Sequence, residues 1–282
     1  MKPLFTPRKP SKLFSPTKLQ SYMRCGRQYL IEKGDDPQPQ KVASYGLVRG
    51  TIGHKMLEKS SDIKTNHKRI FDEGIAYFES PATLPVLELD QAKKELMWDE
   101  LQQMLLSLYA ICDTMGVTFL RHEVSQEFRF LGAMFESTVD LEFTLPDTPK
   151  GSIEIGDFKF GQKKSQAQLN RDIQHGLYWY RYHDAGVKVY RNWTIYMQDG
   201  LIYKRNSRYG KAGERKGPMF YPVKITVEDI DNLSRMVSPA LHGIANGVYM
   251  QNTDHCRTCQ QLGKCPQFGT GATIQEEDSL EF

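Results

Sequence analysis

The chain has 282 residues, 39% of them hydrophobic and 25% charged, which is enough for one large domain or two small ones. Its net charge of +3 permits a nucleic-acid partner without demanding one. There is no apolar run of the roughly 18 residues that a membrane span needs, and no signal-peptide core near the first residue. The five cysteines, an odd number, argue against a disulfide framework. We therefore expect an intracellular, cytoplasmic protein.

Three regions are predicted along the chain: a flexible basic arm over residues 1–14, a single domain over residues 15–268 and a flexible acidic tail over residues 269–282. Ser15 and Pro16 are typical of a helix start, because serine caps helices and proline is favoured in their first turn. The helix that begins there carries Cys25. A cysteine on its own is most often a small buried hydrophobic residue.

A second helix is predicted over residues 45–59, where His54 and Glu58 share one face. Imidazole is the commonest nitrogen ligand of transition metals, but a lone helical histidine is more often structural. A longer helical pattern over residues 89–115 has an apolar face that should cover a sheet.

Three strands follow, at residues 123–130, 136–143 and 152–161, where apolar and polar residues alternate. A turn between the last two would place Asp140 beside Asp157, and two such carboxylates offer oxygen ligands to Mg2+ or Mn2+. Asp157 and Lys159 share a strand face, about 7 Å apart along the chain. That pair can hold a divalent cation and a water, although Asp-x-Lys alone is more often an ordinary exposed pair.

After these strands, residues 166–182 have a helical pattern and residues 188–196 a strand pattern. Core packing is the more usual role for most of the aromatic rings in this helix, but Gln174 and Tyr178 lie one helical turn apart, where they could line a DNA groove by hydrogen bonding and stacking. The order of helix, three-stranded meander, helix and strand predicts an α/β fold with a mixed sheet flanked by helices.

A basic segment over residues 198–221 contains Lys204, Arg205 and Arg208, interleaved with Tyr203 and Tyr209. Runs of charge are usually solvated turns. Because these cations alternate with tyrosine and glycine and have few acids nearby, we favour a mobile element that grips phosphates.

A group of cysteines near the end of the chain has metal-ligand spacing: Cys256, Cys259 and Cys265. Three thiolates this close indicate zinc or an iron-sulfur cluster. His255 and Cys112 are candidates for the fourth ligand, but Cys25 is favoured because it would join the two ends of the chain. Zinc sites more usually show two paired cysteine knuckles, so the isolated Cys25 favours iron-sulfur.

Together these motifs resemble the PD-(D/E)XK nuclease superfamily, in its RecB-like branch with an iron-sulfur cluster. Similar proteins are the CRISPR-associated RecB-like exonucleases and the nuclease domains of helicase-nucleases. The resemblance covers residues 15–268. Its motifs, in chain order, are Cys25 with Tyr29, Gly50-x3-His54, Asp140, Asp157-Phe158-Lys159, Gln174-x3-Tyr178 and the three cysteines Cys256, Cys259 and Cys265.

The resemblance implies a restriction-endonuclease-like core whose N- and C-terminal segments meet at a 4Fe-4S cluster held by Cys25, Cys256, Cys259 and Cys265. It implies four ligands for Mg2+ or Mn2+: His54, Asp140, Asp157 and the Phe158 carbonyl. Asp140, Asp157 and Lys159 would be catalytic, with Lys159 orienting or activating the attacking water. Gln174 and Tyr178 would help to place the nucleic acid, and the basic segment would bind it.

The sequence also departs from the family pattern. Asp157 stands where many relatives have glutamate, and Ser137 replaces a small glycine that often lies three residues before the position of Asp140. No acid from the first helix-strand region is clearly identified, and Glu58 and Glu123 are poor candidates. One-metal and two-metal catalysis therefore both stay open.

The function implied is a metal-dependent DNA nuclease, chiefly an exonuclease on single-stranded or end-containing DNA, in recombination, repair or phage DNA processing. A bacterial or phage-like source is expected, and a helicase, recombinase or single-strand-binding protein is a candidate partner. The alternative is a non-catalytic DNA-binding or adaptor protein that retains the nuclease fold. Strand type, cleavage polarity and oligomeric state are not predicted.

Overall fold

The computed structural model describes residues 13–33, 45–58, 67–79, 91–161, 163–206, 209–259 and 265. In this part of the chain, helices α1 to α8 are Pro16–Arg24, Gly26–Lys33, Tyr45–Glu58, His67–Glu79, Gln91–Met115, Gln166–Leu169, Ile173–Asp184 and Val227–Ala245. Strands β1 to β6 are Leu13–Phe14, Thr118–Phe130, Ala133–Thr144, Ser152–Lys159, Lys188–Tyr196 and Phe220–Val223. Among the described helices, none is long and apolar enough to cross a membrane.

The contacts divide the chain into two compact units. The first is formed from the described parts of Met1–Gln38, Phe128–Glu136 and Asp231–Phe282. The second is formed from the described parts of Pro39–Glu127 and Ser137–Ile230.

A mixed sheet forms the centre of the second unit. Strand β3 pairs with β2 on one side and lies antiparallel to β4 on the other. Strand β4 is parallel to β5, and β5 is antiparallel to β6. A parallel pair requires a crossover connection, and the chain between β4 and β5 contains helix α7. The predicted α/β order of helix, meander, helix and strand is confirmed.

The two faces of this sheet carry separate apolar cores. On one face, Met104 and Leu108 of α5 belong to the same buried cluster as Phe143, Phe158 and Ile195. On the other face, Tyr178 and Tyr182 of α7 cluster with Val139 and Ile155. Because side chains alternate along a strand, Asp157 shares the α7 face with Ile155. This alternation sets the position of the polar site.

One predicted helix is divided into two. The sequence predicts one continuous helix over residues 166–182, but α6 ends at Leu169 and α7 begins at Ile173. Asp172 caps α7, because its side chain accepts a hydrogen bond from the Gln174 backbone N–H at 2.9 Å. The cap fixes the start of the helix that carries Gln174.

In the first unit, β1 pairs in parallel with Met134 and Phe135. This strand includes the last two residues of the predicted flexible arm, and the Phe14 ring centroid lies 5.6 Å from that of Phe135. Helix α1 begins as predicted, with Ser15 as its cap and proline in its first turn. The remaining residues of the predicted arm, and the whole predicted acidic tail, lie outside the described residues.

The two ends of the chain meet within the first unit. The Gly26 N–H donates to the Met250 carbonyl at 2.8 Å, and the Tyr22 hydroxyl donates to the Val248 carbonyl at 2.6 Å. A β-carbon at Gly26 would lie 2.8 Å from the Met250 nitrogen, so glycine is required for this close approach. Hydrogen bonds therefore join the N- and C-terminal segments beside Cys25.

Candidate active site

Asp140 and Asp157 lie side by side on adjacent strands. The register that pairs Leu141 with Gly156 brings Asp140 of β3 next to Asp157 of β4. The Asp140 Oδ2 accepts a hydrogen bond from the Phe158 backbone N–H at 2.6 Å. The two carboxylates therefore converge at one edge of the paired strands.

A histidine and a second carboxylate join Asp140. One ligand atom each from His54, Glu123 and Asp140 all lie within 4.8 Å of one another. The His54 Nδ1 is 3.7 Å from the Asp140 Oδ2. These residues come from α3, β2 and β3, which are far apart in sequence. One imidazole nitrogen and two carboxylate oxygens are a donor set suited to Mn2+ or Mg2+.

Glu123 occupies an unusual backbone conformation. Its φ angle of 47° lies in the left-handed region, which is uncommon for a residue other than glycine. From the sequence, Glu123 is a poor ligand candidate. The structure groups it with His54 and Asp140 instead.

The electrostatics of this group favour a bound cation. Burial raises the pKa of Asp140 well above its usual range, and the charges of Asp157 and Glu123 add to the effect, against the opposing influence of Lys159. Burial also raises the pKa of Glu123, assisted by the charge of Glu58. Burial lowers the pKa of His54, which leaves a neutral imidazole able to act as a ligand. A divalent cation would relieve the repulsion between the acids.

Asp157 belongs to a neighbouring hydrogen-bond network. Its Oδ1 accepts from the Gln174 Nε2 at 2.9 Å and from the Tyr178 hydroxyl at 3.4 Å. Its Oδ2 lies 2.6 Å from the Lys159 Nζ and forms an ion pair with it. Gln174 closes the network, because its Oε1 accepts from the Lys159 Nζ at 3.0 Å.

The sequence comparison identifies the family. The profile of the PD-(D/E)XK nuclease superfamily matches residues 13–266, most of the chain. The chain belongs to the PD-(D/E)XK nuclease superfamily. No curated protein sequence matches it.

A solved structure from Eubacterium rectale has a related fold. A crystal structure of a protein from Eubacterium rectale, described as a candidate exonuclease, is 13% identical and has a TM-score of 0.50. The alignment covers 93% of this chain and 94% of that one. The protein SSO0001 is 11% identical with a TM-score of 0.31, over 89% of this chain and 95% of that one. At these identities the likeness concerns the fold alone.

Within this nuclease fold, Tyr178 does not have the exposure that base stacking would require. Its side chain is 3% exposed and packs with Val139 and Ile155. The predicted stacking of its ring on a base is therefore corrected: Tyr178 lies inside the core. Gln174 and Tyr178 bond to each other at 2.5 Å and to Asp157, so they hold the acid in place.

Lys159 is an ammonium in this arrangement. Burial acts to lower its pKa, but the charge of Asp157 beside it and that of Asp140 outweigh burial and raise the pKa. A protonated lysine donates hydrogen bonds and cannot accept a proton. Both predicted roles of Lys159, orienting and activating the attacking water, remain predictions.

The chain that leaves β4 is fixed next to His54. The Phe160 carbonyl accepts hydrogen bonds from the Arg49 Nη2 at 3.1 Å and from the Gln198 Nε2 at 2.8 Å. The rings of His54 and Phe160 meet edge to face, with centroids 5.3 Å apart. Phe158 packs its side chain in the core and donates its N–H to Asp140, and its carbonyl stays a predicted ligand.

The predicted basic element is a hairpin that lies beside α5. Ile202 forms an antiparallel bridge with Arg215, and the Lys204 Nζ is 3.6 Å from the Asp99 Oδ2 of α5. Arg205 is exposed on the same hairpin, and Arg208 lies outside the described residues. The described residues show no hydrogen bond or ion pair from Lys204 or Arg205 to the acidic site.

The predicted iron-sulfur ligands all belong to the first unit. Cys25 and Cys265 are buried, whereas Cys256 and Cys259 are half-buried. Cys256 lies in a short 3-10 helix over Thr253–Thr258. Unlike the group around His54, the sulfur atoms of the described cysteines form no set of three within 4.8 Å. Cys112 is 3% exposed in the core around α5, as expected for a structural cysteine.

Proposed function

We propose that this member of the superfamily is a metal-dependent DNA nuclease that hydrolyses phosphodiester bonds. The observation that carries the proposal is the convergence of His54, Glu123 and Asp140 beside the Asp157–Lys159 pair. Adjacent elements thus supply an imidazole, three carboxylates and an ammonium, the groups that phosphodiester hydrolysis requires.

His54, Glu123 and Asp140 would hold Mg2+ or Mn2+, with Asp157 and the Phe158 carbonyl as further ligands. When bound, the cation supplies charge neutralisation at the phosphate and lowers the pKa of a water molecule. The Lys159 ammonium would donate to the attacking water or the scissile phosphate and keep them in line.

Gln174 and Tyr178 would act through Asp157 and Lys159, because their hydrogen bonds reach those two residues. The exposed hairpin cations Lys204 and Arg205, with Arg208, would bind the DNA backbone at a distance from the chemistry. Such contacts to phosphate position a strand without reading its sequence.

Exonuclease action on single-stranded or end-containing DNA is the favoured mode. The solved structure from Eubacterium rectale is described as a candidate exonuclease, and it shares this fold over nearly the full length of both chains. We also propose that the chain belongs to the RecB-like branch and acts in recombination, repair or phage DNA processing.

A structural 4Fe-4S cluster held by Cys25, Cys256, Cys259 and Cys265 is a further part of the proposal. It is supported by the hydrogen bonds that bring the segment around Cys25 to the segment before Cys256, including Asn252 Nδ2 to the Arg24 carbonyl at 3.1 Å. A tetrahedral zinc site would need sulfur atoms about 3.8 Å apart at the usual Zn–S distance. Each cysteine of a 4Fe-4S cluster ligates its own iron, so wider spacing is compatible with the cluster.

The test uses anaerobically purified protein and end-labelled DNA, single- and double-stranded, linear and circular, with Mn2+, Mg2+ or EDTA. Asp140→Asn and Lys159→Met should abolish cleavage, and Lys188→Met is the matched control because Lys188 is exposed at the far end of β5. Loss of linear DNA alone would establish an exonuclease. Iron, sulfide and zinc are measured on the same preparation.

Intact DNA under every condition, from protein that binds Mn2+ normally, would overturn the proposal. The fold would then serve a DNA-binding or adaptor role. Zinc in place of iron and sulfide would overturn the cluster assignment and leave the nuclease assignment untouched.

A further inference from the structure

Helix α7 carries a guanidinium that is fully buried. Arg181 is 0% exposed, and its Nη2 donates to the Val124 carbonyl at 3.0 Å and to the Tyr182 hydroxyl at 2.8 Å. Its Nη1 donates to the Ser137 Oγ at 3.0 Å and also to the Ser137 carbonyl. Arg181 therefore connects α7 to both β2 and β3.

This arrangement is costly for folding alone. The hydrogen-bond acceptors of Arg181 in the described residues are neutral, and its Nε has no partner there. A buried charge without a directly bonded counter-ion costs free energy that a well-packed apolar side chain would not, and the Tyr182 ring, whose centroid lies 4.6 Å from the Arg181 Cζ, offsets only part of that cost. Such a residue calls for a reason beyond packing.

One acceptor of Arg181, the Val124 carbonyl, lies beside the candidate metal ligand Glu123. Val124 directly follows Glu123, whose left-handed backbone turns its carboxylate toward His54 and Asp140. Backbone in this region costs of order 1–3 kcal/mol and persists where the surroundings enforce it. The Arg181 guanidinium bonds the carbonyl of Val124, the residue that follows Glu123. It also bonds Ser137 of β3, three residues before Asp140.

We propose that Arg181 is a positioning residue of the cation site: it holds β2 in the conformation that directs the Glu123 carboxylate at the ion. Arg181 does not contact the ion or the DNA. The inference rests on the proposed function, because it assumes that His54, Glu123 and Asp140 bind a divalent cation.

The test measures Mn2+ binding to the full chain by electron paramagnetic resonance, with thermal unfolding followed in parallel. Arg181→Lys keeps the charge but cannot bridge two strands, and should weaken Mn2+ binding by about tenfold or more, as losses of supporting contacts around metal ligands do. Tyr182→Phe is the matched control, because it removes one hydrogen bond of the same guanidinium without touching Val124. It should leave Mn2+ affinity within about twofold, whatever its effect on the melting temperature.

Repeating Arg181→Lys in a Glu123→Gln background distinguishes a positioning role of Arg181 from a purely structural one. If Arg181 acts through Glu123, Arg181→Lys should cause little further loss there. Arg181→Gln is the second variant if Arg181→Lys does not fold, because a single amide cannot hold both the Val124 and the Ser137 acceptors, and it should weaken binding in the same Glu123-dependent way.

Parental Mn2+ affinity in folded Arg181→Lys or Arg181→Gln, or an equal loss in both backgrounds, would overturn the inference. Asp140→Asn distinguishes this failure from that of the proposed function. If the parent binds no Mn2+, or Asp140→Asn binds as the parent does, the cation site itself is refuted.

Discussion

A methyl group added at Gly53 tests how tightly the candidate ligand His54 is packed. The new β-carbon would lie 2.2 Å from the Phe160 Cζ, far inside van der Waals contact. At Gly50, one turn earlier on α3, the nearest atom would be the Phe160 Cβ at an ordinary 3.7 Å. The two glycines therefore form a matched pair on one helix.

The expected changes in stability have opposite signs. Alanine is favoured over glycine inside a helix by about 1 kcal/mol, and this gain applies at both positions. Gly53→Ala additionally overpacks the core, which typically costs about 1–3 kcal/mol. Gly50→Ala should thus raise the melting temperature by about 2–4 °C, and Gly53→Ala should leave it unchanged or lower it by up to about 8 °C.

The Phe160 ring has little room to move away. It is 4% exposed, and Arg49 and Gln198 fix its carbonyl. Since the ring contacts His54, Gly53→Ala should also weaken Mn2+ binding, whereas Gly50→Ala should not. Thermal unfolding and Mn2+ titration of both variants measure these effects. A rise in melting temperature for Gly53→Ala equal to that for Gly50→Ala would refute the reasoning.

Two further predictions concern the acids. Gln174→Leu removes the hydrogen bonds that align Asp157 with Lys159, so the cleavage rate at saturating Mn2+ should fall by about 100-fold, beyond any loss of Mn2+ affinity through Asp157. A parental cleavage rate at saturating Mn2+ would contradict this role. Because burial raises the pKa of Asp140 and Glu123, the folded protein binds protons more tightly than the unfolded chain, and stability falls as the pH rises above about 4. A divalent cation binds the deprotonated acids, so Mn2+ should raise the melting temperature at pH 8 more than at pH 5. Equal shifts at both pH values would argue against binding at these acids.

The sheet was predictable because its strands have a simple period. Strand β5 matches the predicted residues 188–196, since its sequence is rich in β-branched and aromatic residues, which favour strands. Two such strands joined by one turn also predict that Asp140 and Asp157 lie side by side, as the strand pairing shows. The start of α1 was visible in Ser15 and Pro16, because capping is a local interaction.

Features that depend on tertiary contacts were not predictable. Glu123 has left-handed backbone although it is not a glycine, so its residue type does not indicate that conformation. The direction of its side chain depends on contacts from α7. The spacing of Gln174 and Tyr178 was visible, but spacing does not say whether a tyrosine faces solvent or the core. The break before α7 did leave a signal, because Asp172 stands where a helix cap would be expected.

Several features that weaken the fold occur around one point in the second unit. Glu123 has strained backbone, the Asp140 carboxyl has a raised pKa, and Arg181 is a buried cation without a bonded counter-ion. They come from β2, β3 and α7, so no local sequence effect links them. Leu131 and Met219 also have left-handed backbone, so strain by itself does not mark a site. Costs that coincide at one place are nevertheless expected where binding or catalysis requires them. A single divalent cation would reduce the repulsion between the acids, and its binding to the Glu123 carboxylate would compensate for the strained backbone there. The common location of these costs is therefore a physical argument for the cation site that is independent of the family match.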